Sequence, residues 1–173
     1  MSVNSSLASL FTEQAVRHNV VTDIAITAEV ITISLEPKVA AQYGRSDCQQ
    51  PVSVQLHDSE IIQVQGLGVQ GRAVRYLVKT MRVAYTNDQG KFVTFSVPLP
   101  GIRTDLLVTD EVVEQALYMI VDRNLSLSVT AEMLHDLYQV HTSSSALERW
   151  KTSEAARLPS IGRIIQRLNE KKG

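Results

Sequence analysis

Hydrophobic and polar residues alternate along the first hundred positions, and the spacing becomes helical after them. The longest alternating run contains Val74, Tyr76 and Val78 on one face and continues through Val83 and Tyr85. A period of two residues predicts a half-buried β-strand. The polar segment at 87–90 predicts a turn before a returning strand at 92–95, so we expect a β-hairpin here.

Three shorter apolar alternations precede this hairpin. They comprise Ile31, Ile33 and Leu35, then Val52, Val54 and Leu56, and then Ile61, Ile62 and Val64. Pro37 ends the first alternation, because proline cannot donate a hydrogen bond to a sheet. We interpret the glycine-rich segment 66–71 as a turn between strands, and residues 5–17 have the apolar spacing of an N-terminal helix.

The apolar residues after position 101 recur at helical spacing and predict four helices. The expected first residues or caps of these helices are Thr109, Ser128, Thr142 or Ser143, and Ser160. The first helix is expected to end near Arg123, and Pro159 separates the third helix from the fourth. The short segment between the second and third helices contains the apolar residue Val140.

These elements predict an α+β fold with two domains. Residues 1–104 are expected to form a small antiparallel β domain with an N-terminal helix. Residues 105–173 are expected to form an all-helical bundle that contains a helix-turn-helix.

The composition limits the functional classes. The chain has 173 residues, of which 44% are hydrophobic and 20% are charged, as in an ordinary globular protein. No segment approaches the ~20 apolar residues of a membrane span, and the N-terminus lacks the features of a signal peptide. The single cysteine, Cys48, permits neither an internal disulfide nor a thiolate zinc site. We therefore expect a cytoplasmic protein without a membrane partner.

The charge changes sign within the helical region. Residues 105–140 carry seven acidic residues and one basic residue, whereas residues 141–173 carry seven basic and three acidic residues. Because phosphate binding requires lysine and arginine, a polyanion is expected to bind after position 141 rather than before it.

The segment 128–150 has the spacing of a DNA-binding helix-turn-helix. In such units the second helix enters the major groove with its first turn against the base edges. The predicted contacts at the base edges are Thr142, Ser143, Ser144 and Ser145, whose small hydroxyl groups can hydrogen-bond to bases or phosphates. The predicted phosphate contacts are Arg149, Lys151, Arg157 and Arg163.

Three other interpretations of the chain remain open. Amphipathic helix pairs with short turns also occur in bundles that bind no DNA, and a serine run can act only as a helix cap. The acidic helix at 109–123, together with the exposed side of the sheet, could instead form a homodimer face of a protein-interaction module. A small-ligand sensor is a weaker alternative, for which the sequence contains no evident site.

The order of the segments resembles the N-terminal region of ISL-three-type insertion-sequence transposases. The matching stretches are VSVQLHDSEIIQVQGLGVQGRAVRYLVKTMRVAYTNDQG, VPLPGIRTD and VTDEVVEQALYMIVDRNLSLSVTAEMLHDLYQVHTSSSALERW. The resemblance implies a β-rich zinc ribbon followed by a helix-turn-helix that binds double-stranded DNA. It further implies the end-recognition portion of a transposase, or a domesticated derivative, without a catalytic domain.

The zinc ligands that the resemblance implies are largely missing. The family pattern places Cys-x-x-Cys pairs near Arg45 and Cys48 and near Tyr85 and Asp88, and only Cys48 is a cysteine. We therefore expect a degenerate ribbon without metal. Its apolar packing is expected to come from Val74, Tyr76, Val78, Phe92 and Phe95.

No residue set indicates catalysis. His57 and Asp58 are neighbours on a predicted strand and should face opposite sides. His135 and His141 lie six positions apart across the predicted turn and are expected to point in different directions. The segment GLGVQG at 66–71 fits no phosphate-loop template, and no paired carboxylates are evident. We expect a non-enzymatic protein that uses no cofactor.

Overall fold

The computed structural model describes residues 13–157, and a mixed β-sheet dominates this part of the chain. The strands are β1 (Val20–Ile26), β2 (Val30–Glu36), β3 (Gln42–Tyr43), β4 (Val52–Ser53), β5 (Gln55–Val69), β6 (Arg72–Thr86), β7 (Phe92–Ser96), β8 (Ile102–Arg103) and β9 (Val108–Thr109). The helices are α1 (Gln14–His18), α2 (Asp110–Leu117), α3 (Leu127–Tyr138) and α4 (Ser144–Arg157). A π-helical turn at Tyr118–Asp122 continues α2.

Seven strands form one sheet in the order β1-β2-β6-β5-β9-β8, and β7 pairs with β6 beyond the end of β2. The β2–β6 and β5–β9 pairs are parallel, whereas the other pairs of this sheet are antiparallel. Strands β3 and β4 form a separate two-stranded ribbon. The longest pairing joins β5 and β6, each of 15 residues, in one extended hairpin.

The strands with the clearest alternation are confirmed. Strand β2 ends just before Pro37, and its alternate residues Ile31, Ile33 and Leu35 are buried. Strand β6 spans the whole predicted run, and β7 returns antiparallel to it, with Thr86 opposite Phe92. The predicted hairpin across 87–90 is therefore confirmed.

The interpretation of segment 66–71 as a turn is wrong for its first four residues, which belong to β5. Gly66 and Gly68 lie within β5, and the turn to β6 involves only Gln70 and Gly71. A Cβ atom on Gly68 would lie 2.2 Å from the main-chain oxygen of Tyr138. The glycine therefore lets the end of α3 approach the strand directly.

The predicted fold class is wrong. The β part is a large mixed sheet rather than a small antiparallel one, and the helices within residues 13–157 are few and short rather than a bundle that follows it. The physical reason is that alternation predicts a strand but does not identify its neighbour. Strand β9 adds to the sheet parallel to β5 and leads directly into α2. The boundary predicted near residue 104 stays a prediction; β8 and β9 pair across it.

The buried apolar side chains form two clusters. The first joins α1 to the central strands and includes Tyr76, which has no exposed surface. The second joins α2, α3 and α4 to β9 and includes Leu134 and Trp150. Phe92 is expected in the core but is 62% exposed, because it lies at the turn end of the β6–β7 hairpin.

The helix boundaries differ from the sequence expectations at several caps. Thr109 occupies the N-cap position of α2, but its side chain makes no capping hydrogen bond. Ser126, rather than Ser128, caps α3 by accepting a hydrogen bond from the Val129 amide. Residues 5–12 of the predicted N-terminal helix and the fourth helix predicted from Ser160 lie outside the described residues.

Candidate nucleic-acid interface

Helices α3 and α4 are joined by a tight, ordered turn. Gln139 adopts a left-handed conformation with φ of 55°, and its amide donates to the His135 carbonyl. The Val140 amide donates to the Leu134 carbonyl at 3.1 Å. This pattern ends α3 and turns the chain back, so that the completely buried Val140 anchors the turn in the second cluster.

The first turn of α4 faces solvent. Ser143, Ser144 and Ser145 are all exposed. The Ser143 hydroxyl accepts a hydrogen bond from the Ala146 amide at 3.2 Å and therefore caps the helix. Leu147 is completely buried and follows Ser145 by two residues, so Ser145 lies on the opposite face of α4. Ser143 and Ser144 precede Leu147 by four and three residues, so their exposure reflects their position at the N-terminal end of the helix.

The predicted cations do not all share this face. Arg149 is exposed. Lys151 is only 9% exposed, and its ammonium forms a 2.8 Å ion pair with Glu148. Arg157 is at the end of α4, and Arg163 lies outside the described residues.

Thr142 is the predicted contact least suited to bind a ligand. It is partly buried, and its hydroxyl oxygen is inaccessible and has no hydrogen-bond partner within the described part of the chain. The prediction that Thr142 meets a base edge would require this side chain to turn outward.

An open depression of about 740 Å³ follows the exposed face of α4. Its lining residues are Leu127, Ser144, Ser145, Glu148, Arg149, Thr152 and Ser153. The depression thus combines small hydroxyl groups with one carboxylate and one guanidinium. Such a surface can hydrogen-bond to a polar partner, but its local charge is close to neutral.

Two polar contacts fix the α3–α4 unit to the sheet. The side-chain amide of Gln65 on β5 accepts from the His141 amide at 2.9 Å and donates to the His141 carbonyl at 3.1 Å. Arg103 on β8 is 12% exposed and forms an ion pair with Glu154 and a 2.8 Å hydrogen bond with Ser153. Both contacts cross from a strand to the helical unit.

The expectation that His135 and His141 point in different directions is wrong. Their ring centroids are 4.8 Å apart, with an angle of 58° between the ring planes. The left-handed residue Gln139 reverses the chain, so that the residue after Val140 returns beside the last turn of α3.

The positions at which the resemblance implies metal ligands lie close together. The Arg45 side chain donates to the Tyr85 hydroxyl at 3.3 Å, and the Cys48 amide donates to the Arg45 carbonyl. Asp88 accepts from the amide of the residue that follows Cys48. The Arg45 guanidinium also stacks on the Phe95 ring at 4.3 Å. A hydrogen-bonded and cation–π cluster thus joins the two loops.

The same cluster contains a stabilised carboxylate. The Tyr85 hydroxyl donates a 2.6 Å hydrogen bond to Asp47, which lowers the pKa of the Asp47 carboxyl. Among residues 13–157, no three histidine, cysteine, aspartate or glutamate side chains are grouped so as to hold a metal ion.

The sequence interpretation missed a pair of carboxyl groups, Glu13 and Glu111. Glu13 accepts a hydrogen bond from the Tyr76 hydroxyl, and burial raises the pKa of Glu13 to about 7. Glu111 accepts from the Gln14 amide at 2.7 Å, and its second oxygen is buried and lacks a partner within the described part of the chain. No sequence signal links these groups, because they are brought together only when α1 packs against α2.

No family model, curated protein or solved structure matches this chain. Among residues 13–157, no helix combines the length and apolar character that crossing a membrane would require.

Proposed function

We propose that the α3–α4 unit binds double-stranded DNA and presents the first turn of α4 to the major groove. The observation that carries this proposal is the exposure of Ser143, Ser144 and Ser145 at the start of a helix that buries Leu147 and Trp150. A buried apolar residue, Val140, fixes the turn that precedes the helix.

The chemistry of this surface suits a shallow contact with a duplex. Small hydroxyl groups allow the helix to approach closely and can donate to or accept from base edges. Arg149 is exposed on the same depression and supplies the phosphate contact. The ion pair with Glu148 keeps Lys151 from contributing a free charge.

The proposed binding is therefore weakly electrostatic. Each neutralised phosphate contributes about −0.9 to the slope of log affinity against log salt, and Arg149 supplies one such contact. The resemblance to ISL-three-type transposases supports recognition of insertion-sequence ends as the role of this binding. In that role the chain acts without a catalytic site of its own.

The test is fluorescence anisotropy of the full chain with a labelled duplex of mixed sequence, beginning at low salt. We expect Arg149→Gln to weaken binding several-fold and to reduce the salt slope by about 0.9. The matched control is Lys91→Gln, which removes an exposed cation from the β6–β7 turn and should change neither quantity. No binding at low salt, or equal effects of the two variants, would contradict the proposal.

A second variant separates binding from folding. Ser145→Asp adds a negative charge to the exposed first turn of α4, where the helix dipole favours an acid. The variant should therefore be at least as stable as the natural chain and yet should bind DNA more weakly. A stable Ser145→Asp protein with unchanged affinity would place the duplex elsewhere.

The second candidate function is that of a protein-interaction or homo-oligomeric module. Strand β1 lies at the outer edge of the sheet and exposes Val20, Ile24 and Ile26, each by 39–47%. Light scattering distinguishes the two functions. A dimer that Ile24→Lys dissociates, with no affinity for DNA, would favour assembly.

A further inference from the structure

The two imidazole rings at the α3–α4 turn converge outside the proposed DNA contacts. The His135 side chain is 50% exposed, and His141 is also exposed, so both rings are open to solvent. The ring centroids are 4.8 Å apart. The nitrogen ligands of a tetrahedral zinc ion lie ~2.0–2.1 Å from the metal and therefore ~3.3 Å from each other. Two rings whose centroids are 4.8 Å apart can each direct one nitrogen to a common ion, because those nitrogens need to be only ~3.3 Å apart.

A carboxylate orients the first ring. Asp136 Oδ1 lies 3.0 Å from His135 Nδ1, and this hydrogen bond places the ring proton on Nδ1. The lone pair of Nε2 is then available for a ligand. Carboxylates that bind the second nitrogen of a histidine in this way fix its tautomer and strengthen it as a metal ligand.

The main chain on both sides of the pair is fixed. Gln65 binds both the amide and the carbonyl of His141, and the His135 carbonyl accepts from the Gln139 amide. Little main-chain freedom would therefore be lost when the two side chains bind one ion.

We propose that His135 and His141 form a surface site for a divalent transition metal ion such as Zn²⁺, Ni²⁺ or Cu²⁺. The two imidazoles supply two ligands, and water or a second copy of the chain supplies the others. Imidazole nitrogen selects these ions over Mg²⁺ and Ca²⁺, which prefer oxygen ligands. The site is independent of the proposed DNA contact, because it uses neither the serines nor Arg149.

The experiment is a calorimetric titration of the full chain with Zn²⁺ in the absence of DNA. We expect saturable binding that falls at least tenfold in His135→Gln and in His141→Gln. Asp136→Asn, which removes the orienting carboxylate, should weaken binding by about tenfold. Mg²⁺ should not bind. The matched control is His57→Gln, which removes an exposed histidine on β5 and should leave the affinity unchanged.

The stoichiometry and the spectra distinguish the possible results. One ion per chain, or one ion per two chains with metal-dependent dimerisation, supports the site if both histidine variants abolish it. Zn²⁺-dependent NMR shifts confined to the two imidazoles would support the proposed site independently of the calorimetric signal. Absence of saturable binding, or an affinity that neither histidine variant changes, would overturn the proposal. Circular dichroism of each variant verifies that it is folded.

Discussion

Replacing Glu13 with glutamine removes an ionisable group from the junction of α1, β6 and α2. The Glu13 carboxyl accepts a hydrogen bond from the buried Tyr76 hydroxyl. Burial is the main reason that its pKa rises from 4.5 to about 7, and the negative charge of Glu111 adds to the effect. The folded protein therefore favours the protonated form of Glu13.

The effect on stability has a defined sign. Between pH 4.5 and 7 the folded chain holds a proton on Glu13 that the unfolded chain has released. Stability must therefore fall as the pH rises through this window. At 1.36 kcal/mol per pH unit, the contribution lost by pH 8 is at most about 3 kcal/mol, and partial exposure of Glu13 reduces it. Glutamine has no such titration.

The assay is urea denaturation of the natural chain and Glu13→Gln at several pH values from 4 to 8. At pH 4, the difference in unfolding free energy between Glu13→Gln and the natural chain reports how well the glutamine amide packs. The informative quantity is how this difference changes as the pH rises. Between pH 4 and 8, the unfolding free energy of Glu13→Gln should increase by about 2–3 kcal/mol relative to that of the natural chain. The control Glu132→Gln removes an exposed carboxylate on α3. A difference that stays constant with pH for Glu13→Gln would refute the reasoning.

Three further predictions concern packing and are tested by the same denaturation assay. Arg103→Met should cost about 3 kcal/mol, because the side chain of Glu154 is only 7% exposed and loses its guanidinium partner. The double change Arg103→Met/Glu154→Leu should recover most of this loss, and a purely additive pair would contradict it. Gly101→Ala should cost at least about 2 kcal/mol, because φ is +81° and the new Cβ would lie 2.3 Å from the main chain of α1; an unchanged midpoint would contradict this. Leu134→Ala should cost about 2–5 kcal/mol, since this side chain is completely buried, and a loss below 1 kcal/mol would contradict the described packing.

The sequence predicted individual strands better than their arrangement. Alternation in β2 and β6 is visible because one face of each strand is buried and the other is not. Their parallel pairing was not predictable, since the chain between them passes through β3, β4 and β5 before returning. Period-two spacing contains no information on which strand lies next, and the assumption of local hairpins led to the antiparallel prediction.

The candidate site was predictable where the helix phase was clear. Leu147 is apolar and follows Ser145 by two residues, so Ser145 has to face outward once α4 forms. Ser143 and Ser144 precede Leu147 by four and three residues, and they are exposed at the N-terminal end of the helix. The prediction that Lys151 contacts phosphate overlooks its spacing from Leu147. Lys151 follows Leu147 by four residues and therefore shares the buried face of α4. The convergence of His135 and His141 depends on a left-handed residue between them, which no pattern in the sequence predicts.

The α3–α4 unit is held to the sheet at three separate places. Gly68 lets the end of α3 contact β5, Gln65 binds the turn at His141, and Arg103 binds α4 near its C-terminal end. These attachments lie at the end of α3, at the turn and on α4, so together they restrict movement of the unit against the sheet. The outward face of α4 is therefore held in a defined position, and the proposed binding of DNA there would require little ordering of the main chain. We therefore expect substitutions on the outward face of α4 to alter the proposed affinity for DNA without altering the stability of the fold. Changes at the three attachments should lower stability first and affinity only as a consequence.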